Sequence, residues 1–472
     1  MIKNNFTSDR QFPFFGFLLV FGAFFIIVAK DFLTEGMFMD GLMYSAIAQN
    51  LSRDPESLWH LQISSHSELF YGHPPLAIWI QSLFYHIFGD HFWVDKLYSM
   101  SSIGLSAFVI LFLWKELGFS MKQVWLTWLL WLSVPLVIWC STNNLLENTM
   151  GIFILLSVLF YLKSLKKHRY PFCFLSGTML CCSFMCKGLT GLYPLAFPLI
   201  YWFCFRSKKL LSICGDLFLM LLGLLIPFAL LLALSSDAAQ YFETYWQIQI
   251  VGSLSGIRCV NSRFNILLVM FSELLIPLIF FGLFILYFWK KEILTFNKGN
   301  TKIALAFSIL ALCGVLPIMV SMKQRDFYIL TVFPFFALAM ATLLTPALSV
   351  WTIPQITRKW IKSITIAVIM TAIGLNVYFF GKTSRDKELL SDIHLLITEI
   401  PAHSTINMDE ELGTNYSFML YLARYKDVST QTGKQEKLKV VLPEHCNDIK
   451  EDGYELVNTG AASLCLMRKK EN

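Results

Sequence analysis

Eleven stretches of this chain are apolar over enough residues to cross a bilayer, and no other feature narrows the fold so far. Crossing as a helix takes about 20 predominantly apolar residues. A helix is forced, because lipid supplies no hydrogen-bond partner to an open backbone amide or carbonyl. The stretches lie near residues 12–29, 96–114, 123–141, 148–163, 170–186, 189–205, 214–235, 264–289, 303–321, 326–346 and 361–380. Of the 472 residues 56% are hydrophobic and 15% charged, a balance that excludes a water-soluble globular fold. The chain reads as a polytopic α-helical membrane protein.

The net charge of +6 is informative by position, since Lys and Arg in short loops mark the cytoplasmic side. Clusters at Lys163, Lys166, Lys167 and Arg169, at Arg206, Lys208 and Lys209, at Lys290, Lys291, Lys298 and Lys302, and at Arg358, Lys359 and Lys362 fall between alternate stretches. One arrangement makes all four cytoplasmic. It keeps the amino terminus inside, with Lys3 and Arg10, and carries Asp31 to Glu68, Glu147, Lys187, the 235–263 loop and Lys323 to Asp326 to the outer face. The run PPLAIWIQSLFYHIF, residues 74–88, would invert every later loop if it crossed. It is short, and Gln81, Tyr85 and His86 interrupt it, so it is read as a helix in the outer interface with Trp79 and Tyr85 at headgroup level. The first stretch lacks an A-x-A-like cleavage site and leads into Lys30 and Asp31, as an uncleaved anchor does.

From about Gly381 the composition becomes that of a soluble domain. The division expected is a membrane domain over 1–380 and a small extracytoplasmic α/β domain over 381–472. Its pattern predicts helices over 385–400 and NYSFMLYLARY, and strands in STINMD, KLKVVLP, YELVNTG and LCLMRKK. Most of the eleven cysteines lie in apolar stretches, where Cys packs as a small hydrophobe. A Cys446–Cys465 disulfide is open, depending on the redox compartment.

Candidate chemistry gathers in the outward segments. Asp40 opens DGLMYSAIAQNL, with Tyr44, Ile47, Ala48 and Leu51 following at helical spacing, so its carboxylate stands near a helix amino terminus. It is a candidate catalytic base, or simply a cap. His73 precedes Pro74 and Pro75, which fix the entry of the interfacial helix; the imidazole is a candidate phosphate ligand. Glu147 stands in a polar knot with Asn143, Asn144 and Asn148 at a hairpin, where a buried acid is costly without a role. Lys187, followed by Gly188, offers a point charge to a phosphate, or snorkels from a helix end. Arg258, Arg263, Lys323 and Arg325 add outward cations, against the topological bias. Cations beside two carboxylates suit a phosphate leaving group and a hydroxyl nucleophile.

Taken in order, these motifs resemble the family 39 membrane glycosyltransferases of the GT-C class, which include the protein O-mannosyltransferases and, in a close relative, the lipid A aminoarabinose transferases. The matching residues are Asp40, His73 with Pro74, Glu147, Lys187 with Gly188, and Ser321, Lys323, Tyr328, Leu330 and Pro334 in an S-x-K-x(4)-Y-x-L-x(3)-P element. The resemblance implies a GT-C fold and inverting transfer of a sugar from a polyprenyl-phosphate carrier to a lipid, glycan or protein acceptor on the outer face, in a bacterial inner membrane. Asp40 would be the general base, with Glu147 orienting the acceptor or a basic partner. Lys187, Lys323, an arginine of the pair Arg258 and Arg263, and His73 would meet the phosphate, and Tyr44 and Tyr328 would position substrate. Gly72 stands where the aminoarabinose enzymes carry Glu, so a contact made by that acid is not carried over. No metal is assigned, since no His, Cys and carboxylate cluster has ligand spacing, though a divalent ion is not excluded. Nucleic acid is not an expected partner. A lipid-linked sugar flippase is the rival reading; it would place ionisable residues at the bilayer midplane and show paired halves, and neither is evident here.

Overall fold

The computed structural model describes residues 11–206, 208–252, 259–352, 354–433, 436–446 and 453–470. Among them, eight helices are long and apolar enough to cross a membrane: Phe14–Phe32, Val94–Glu116, Leu146–Ser164, Leu210–Leu234, Asn265–Lys290, Lys298–Val320, Asp326–Val350 and Ile356–Phe379. A bent pair, Met121–Leu132 and Pro135–Thr142, makes a ninth if it counts as one span. The chain thus has the expected polytopic helical architecture, with fewer qualifying spans than the eleven read from sequence.

The difference has local causes. The helix Arg169–Lys187 has 19 residues, but Ser176, Gly177, Thr178 and Ser183 dilute its apolar character. Leu189–Phe205 is shorter, and its first part, Leu189–Ala196, is a 3-10 helix with Pro194 inside it. Because a 3-10 turn rises about 2.0 Å per residue against about 1.5 Å for α, the whole segment reaches roughly 30 Å. These two segments are consecutive, so the sidedness assigned to the rest of the chain is the same whether both cross or neither does. The expected straight span over 123–141 bends by 82° instead. Pro135 lacks an N–H and drives Val134 out of helical geometry. The next donor, Leu136 N, is met by Glu273 Oε2 at 2.6 Å.

The chain divides into two compact units. One comprises the residues up to Lys30, Ser99–Ser141 and Leu146–Tyr378. Its helices Leu146–Ser164 and Arg169–Lys187 pack side by side, with Ser157 Oγ and Ser176 Oγ 3.0 Å apart in their interface. Asn148 Nδ2 donates to Cys140 O at 2.8 Å and Ser99 Oγ at 2.9 Å, tying the start of the first of these helices to two neighbours.

The second unit comprises Asp31–Tyr98, Thr142–Leu145 and the chain from Phe379 onward. Its sheet runs β2-β1-β3-β5-β4. The strands are β1 (Thr405–Met408), β2 (Ser429–Gln431), β3 (Leu438–Val441), β4 (Tyr454–Val457) and β5 (Cys465–Lys469). β1 pairs in parallel with β2 and β3, while β5 runs antiparallel to β3 and β4. The helices Lys387–Glu399 and Tyr416–Lys426 complete an α/β layer whose core holds Ile393, Ile406, Phe418, Tyr421 and Leu466. Met37 and Leu42, from the far end of the sequence, are buried in that same core. Among the described residues no disulfide forms, and Cys446 packs against Met467 beside Cys465.

The Leu76–Phe88 helix belongs to this second unit, and its 13 residues, about 20 Å, are too short to span. Leu83, Ile87 and Phe88 leave an exposed apolar edge on it, as an interfacial helix requires. Its other side is anchored by Arg424, 3% exposed, whose Nη1 donates to Asp90 at 2.7 Å and whose guanidinium lies 5.0 Å over the Tyr85 ring. Lys96, 1% exposed, donates to the carbonyls of Asp31 and Thr34, both at 2.7 Å, and so fixes the strand of chain leading to Asp40.

Candidate active site

Asp40 lies half-buried in the first turn of the helix Met39–Arg53. No side chain caps that helix; instead Phe38 N donates to Asn143 Oδ1 at 2.9 Å, and Asn144 Nδ2 donates to Gly41 O at 3.2 Å and Ser45 Oγ at 2.9 Å. A Cβ at Gly41 would stand 2.1 Å from the Asn143 carbonyl oxygen, so glycine is required for this approach. Asn143 and Asn144 thus hold the start of the helix that carries Asp40. From behind, Met37 N donates to the Tyr421 hydroxyl at 3.2 Å, and that hydroxyl donates to Asp386 at 2.9 Å. The carboxyl-terminal layer thus braces the segment that carries Asp40.

Tyr44 stands one helical turn beyond Asp40, on the same face, and is fully buried. The half-buried His73 packs edge-on to it with ring centres 5.8 Å apart, and Phe70 lies 6.4 Å on the other side. Tyr44 and His73 are thereby brought together with Asp40 in one unit. The Phe70 ring also occupies the space beside Gly72, 2.5 Å from where a Cβ there would begin.

In the helical unit, Lys187 Nζ pairs with Glu147 Oε1, both side chains almost wholly buried. The same ammonium lies 4.9 Å over the Phe327 ring and 5.1 Å over the Tyr328 ring, an arrangement that replaces lost hydration with two aromatic faces. Gly188 follows with φ +82°, and a Cβ there would stand 2.2 Å from the Tyr245 hydroxyl. Burial pushes that phenol up to about 12, so it stays a neutral hydroxyl. Four sequence elements therefore meet at one end of the helices: the Glu147 hairpin, the Lys187–Gly188 turn, the helix Ser236–Tyr245 and the 321–334 motif.

Lys323 and Arg263 lie in two loops that are tied together. The buried Gln324 donates to Arg263 O at 2.9 Å and Ser321 O at 3.0 Å and accepts from Ile266 N at 3.1 Å, and Cys259 N donates to Met322 O at 3.1 Å. Lys323 Nζ is 3.4 Å from Gln249 Oε1. Among the described residues neither Lys323 nor Arg263 has a carboxylate within ion-pair distance, in contrast to Lys187. Arg258 lies outside the described residues, and Arg325 is exposed. Gln324 and Phe327 were not anticipated: both sit inside the quoted motif, but nothing local marks an amide or a ring as a tertiary tie. The only trio of His and carboxylate groups with mutual metal-ligand distances among the described residues is Glu411, Glu444 and His445, with ligand atoms within 4.8 Å. It is far from these motifs in sequence and solvent-facing, and His445 already bonds Asp409 at 3.0 Å.

Comparison with known proteins assigns the fold. The chain has the GT-C fold of membrane glycosyltransferases: ArnT of Cupriavidus metallidurans, in its complex with undecaprenyl phosphate, superposes with a TM-score of 0.67 over 95% of this chain and 97% of that one, at 13% identity. Its apo form matches with a TM-score of 0.64 over 94% and 95%. The oligosaccharyltransferase AglB of Archaeoglobus fulgidus, in complex with an inhibitory peptide and a dolichol-phosphate, matches at 0.51, with 12% identity over 96% of this chain and 74% of that one. Residues 72–236 match the dolichyl-phosphate-mannose-protein mannosyltransferase family, a stretch that contains His73, Glu147 and Lys187 and excludes Asp40 and Lys323. No curated protein sequence matches the chain significantly.

Proposed function

We propose that this protein is an inverting glycosyltransferase that moves a sugar from a polyprenyl-phosphate carrier to an acceptor hydroxyl at the extracytoplasmic face of a bacterial inner membrane, with its amino terminus in the cytoplasm and its carboxyl-terminal layer outside. The observation that carries the reading is the construction around Asp40: a carboxylate held half-buried at a helix start, with Phe38 N just before it bonded to Asn143, and the half-buried His73 packed edge-on to Tyr44 one turn further along. The general likeness to ArnT with bound undecaprenyl phosphate supports the donor class.

In the step proposed, the acceptor oxygen attacks the anomeric carbon, its proton passes to Asp40, and the bond from that carbon to the phosphate oxygen breaks. The negative charge growing on the leaving phosphate calls for cations, and His73, Arg258, Arg263 and Lys323 are the candidates the sequence offers; among the described residues Arg263 and Lys323 have no carboxylate within ion-pair distance. Lys187 contributes through its pairing with Glu147, which holds Tyr328 and the 321–334 element in place for the substrate.

The test is transfer by purified protein from a panel of polyprenyl-phosphate sugars, wild type against Asp40→Asn. The variant should lose about 10²- to 10⁴-fold in turnover with an unchanged thermal midpoint. Full turnover by Asp40→Asn would end the mechanism, and translocation of the sugar-lipid without a glycosidic product would establish the transporter instead.

A further inference from the structure

The helix Leu146–Ser164 begins with Glu147 in its first turn and ends 19 residues later, about 28 Å away, beside a cavity with a different character. This cavity has a volume of about 350 Å³, at the small end of ligand sites, which run from roughly 300 to 1,000 Å³. Lys166, Lys208, Glu116 and the Tyr201 ring line it together with apolar side chains that include Leu162, Phe205 and Ile303.

Cations outnumber carboxylates around this cavity, although each lining lysine is paired with one. Lys166 pairs with Glu116 at 2.9 Å, and Lys208 pairs with Asp216 at 3.0 Å. Asp216, fully buried, also receives Arg169 Nε at 2.6 Å, so three cations surround two carboxylates. Lys302 Nζ lies 5.9 Å from the Phe205 ring on the cavity wall. In sequence the segments 163–169, 206–209 and 298–302, which supply Lys166, Lys208 and Lys302, hold nine Lys or Arg and no Asp or Glu. Lys208 is the deeper of the two lining lysines, with 20% of its side chain exposed against 59% for Lys166, which places one cation inside and one at the rim.

The apolar part points to a lipid and away from a soluble anion. Leu162, Phe205 and Ile303 would be wasted on a free phosphate, and the adjoining Phe203, Leu210 and Leu211 are 59%, 50% and 84% exposed, surfaces that acyl chains would cover. Tyr201 and Phe205 stack on each other with centres 4.3 Å apart, leaving no slot between them for a nucleotide base. Surplus cations, one hydroxyl donor and apolar walls at a helix end match a phosphodiester headgroup and its first methylenes.

We propose that this cavity binds the headgroup of an anionic phospholipid, at the end of the helical unit opposite the Glu147–Lys187 pair. The lipid phosphate sits between Lys166 and Lys208, within reach of the Tyr201 hydroxyl, and Lys302 supplies charge from the side. The site is separate from donor binding and does not depend on the activity proposed above.

The experiment is native mass spectrometry of the full-length protein, delipidated and titrated in turn with phosphatidylglycerol, phosphatidylcholine and undecaprenyl phosphate, with inorganic phosphate as a soluble competitor. The variants are Lys166→Gln combined with Lys302→Gln, and Tyr201→Phe alone; Lys208 is kept because its removal would strand the buried Asp216. Wild type should retain phosphatidylglycerol over phosphatidylcholine, and the double lysine variant should weaken that lipid by about 10- to 30-fold with an unchanged thermal midpoint in detergent. Tyr201→Phe should weaken it by roughly 3- to 10-fold, which preserves the test if the double variant folds poorly. Equal retention of the two phospholipids, variants that bind as wild type does, displacement by millimolar inorganic phosphate, or loss of undecaprenyl phosphate alone in the variants would each overturn the proposal.

Discussion

Lys187 reaches across 40 residues of sequence to donate to Glu147 in the interior of the helical unit, where Glu147 is 1% exposed and Lys187 7%. Breaking a buried pair by removing one partner costs about 3–5 kcal/mol, because the other charge stays desolvated and unmatched, whereas replacing both is often close to neutral. Lys187→Met and Glu147→Gln should each lower the thermal midpoint sharply, and the double substitution should recover most of the loss. Thermal unfolding of the three purified variants in detergent measures the coupling. Additive losses would show that the two charges are held separately.

Gly41 allows the Asp40 helix to touch the Asn143 carbonyl, with no room for a methyl group between them. Gly41→Ala should therefore push the helix start away from the 142–145 segment at a cost of about 1–3 kcal/mol, the usual range for overpacking. Because Asp40 is the adjacent residue, transfer should fall further than stability does. A variant with wild-type turnover and midpoint would mean that the contact is slack in solution.

The parts of this architecture that were legible in the sequence are those written in local patterns. Apolar length marked the spanning helices, and alternation marked four of the five strands, while the three-residue β2 was too short to register. Polar residues in apolar surroundings marked Asp40, Glu147 and Lys187. Pro135 was equally visible, yet the bend it makes depends on Glu273 arriving from another helix to accept Leu136 N. Gln324 and Tyr421 illustrate the same limit. Each acts through a hydrogen bond to backbone from a distant segment, and neither carries a charge, a motif or a burial cost that its own neighbours reveal.

His394 and Glu35 join the carboxyl-terminal layer to the linker before Asp40, with Nε2 and Oε2 2.8 Å apart. The hydrogen bond to Glu35 raises the imidazole above its ordinary value, burial opposes it, and the carboxylate charge adds to the rise. A raised folded-state value means that the protonated imidazole is favoured on folding. Its stabilisation is complete below the unfolded value, about 6.5, and fades as pH climbs through the raised one. The difference in thermal midpoint between wild type and His394→Gln should be largest near pH 5.5 and shrink above pH 7. A difference that is flat across this range would remove the ion pair from the account.

Tyr421 serves two partners with one hydroxyl, accepting from Met37 N and donating to Asp386, while its ring fills the core of the carboxyl-terminal layer. Tyr421→Phe keeps the packing and deletes only the oxygen, leaving a buried N–H without its acceptor at a cost of about 1–3 kcal/mol. Met37 lies three residues before Asp40, so the loosened segment is the one that sets where the proposed base stands. On the transferase reading, turnover should fall several-fold while the KM for the polyprenyl-phosphate donor, held by cations on other elements, changes little. Steady-state kinetics with donor varied at saturating acceptor separates the two quantities. A raised donor KM with unchanged turnover would show instead that the brace supports donor binding and leaves Asp40 where it was.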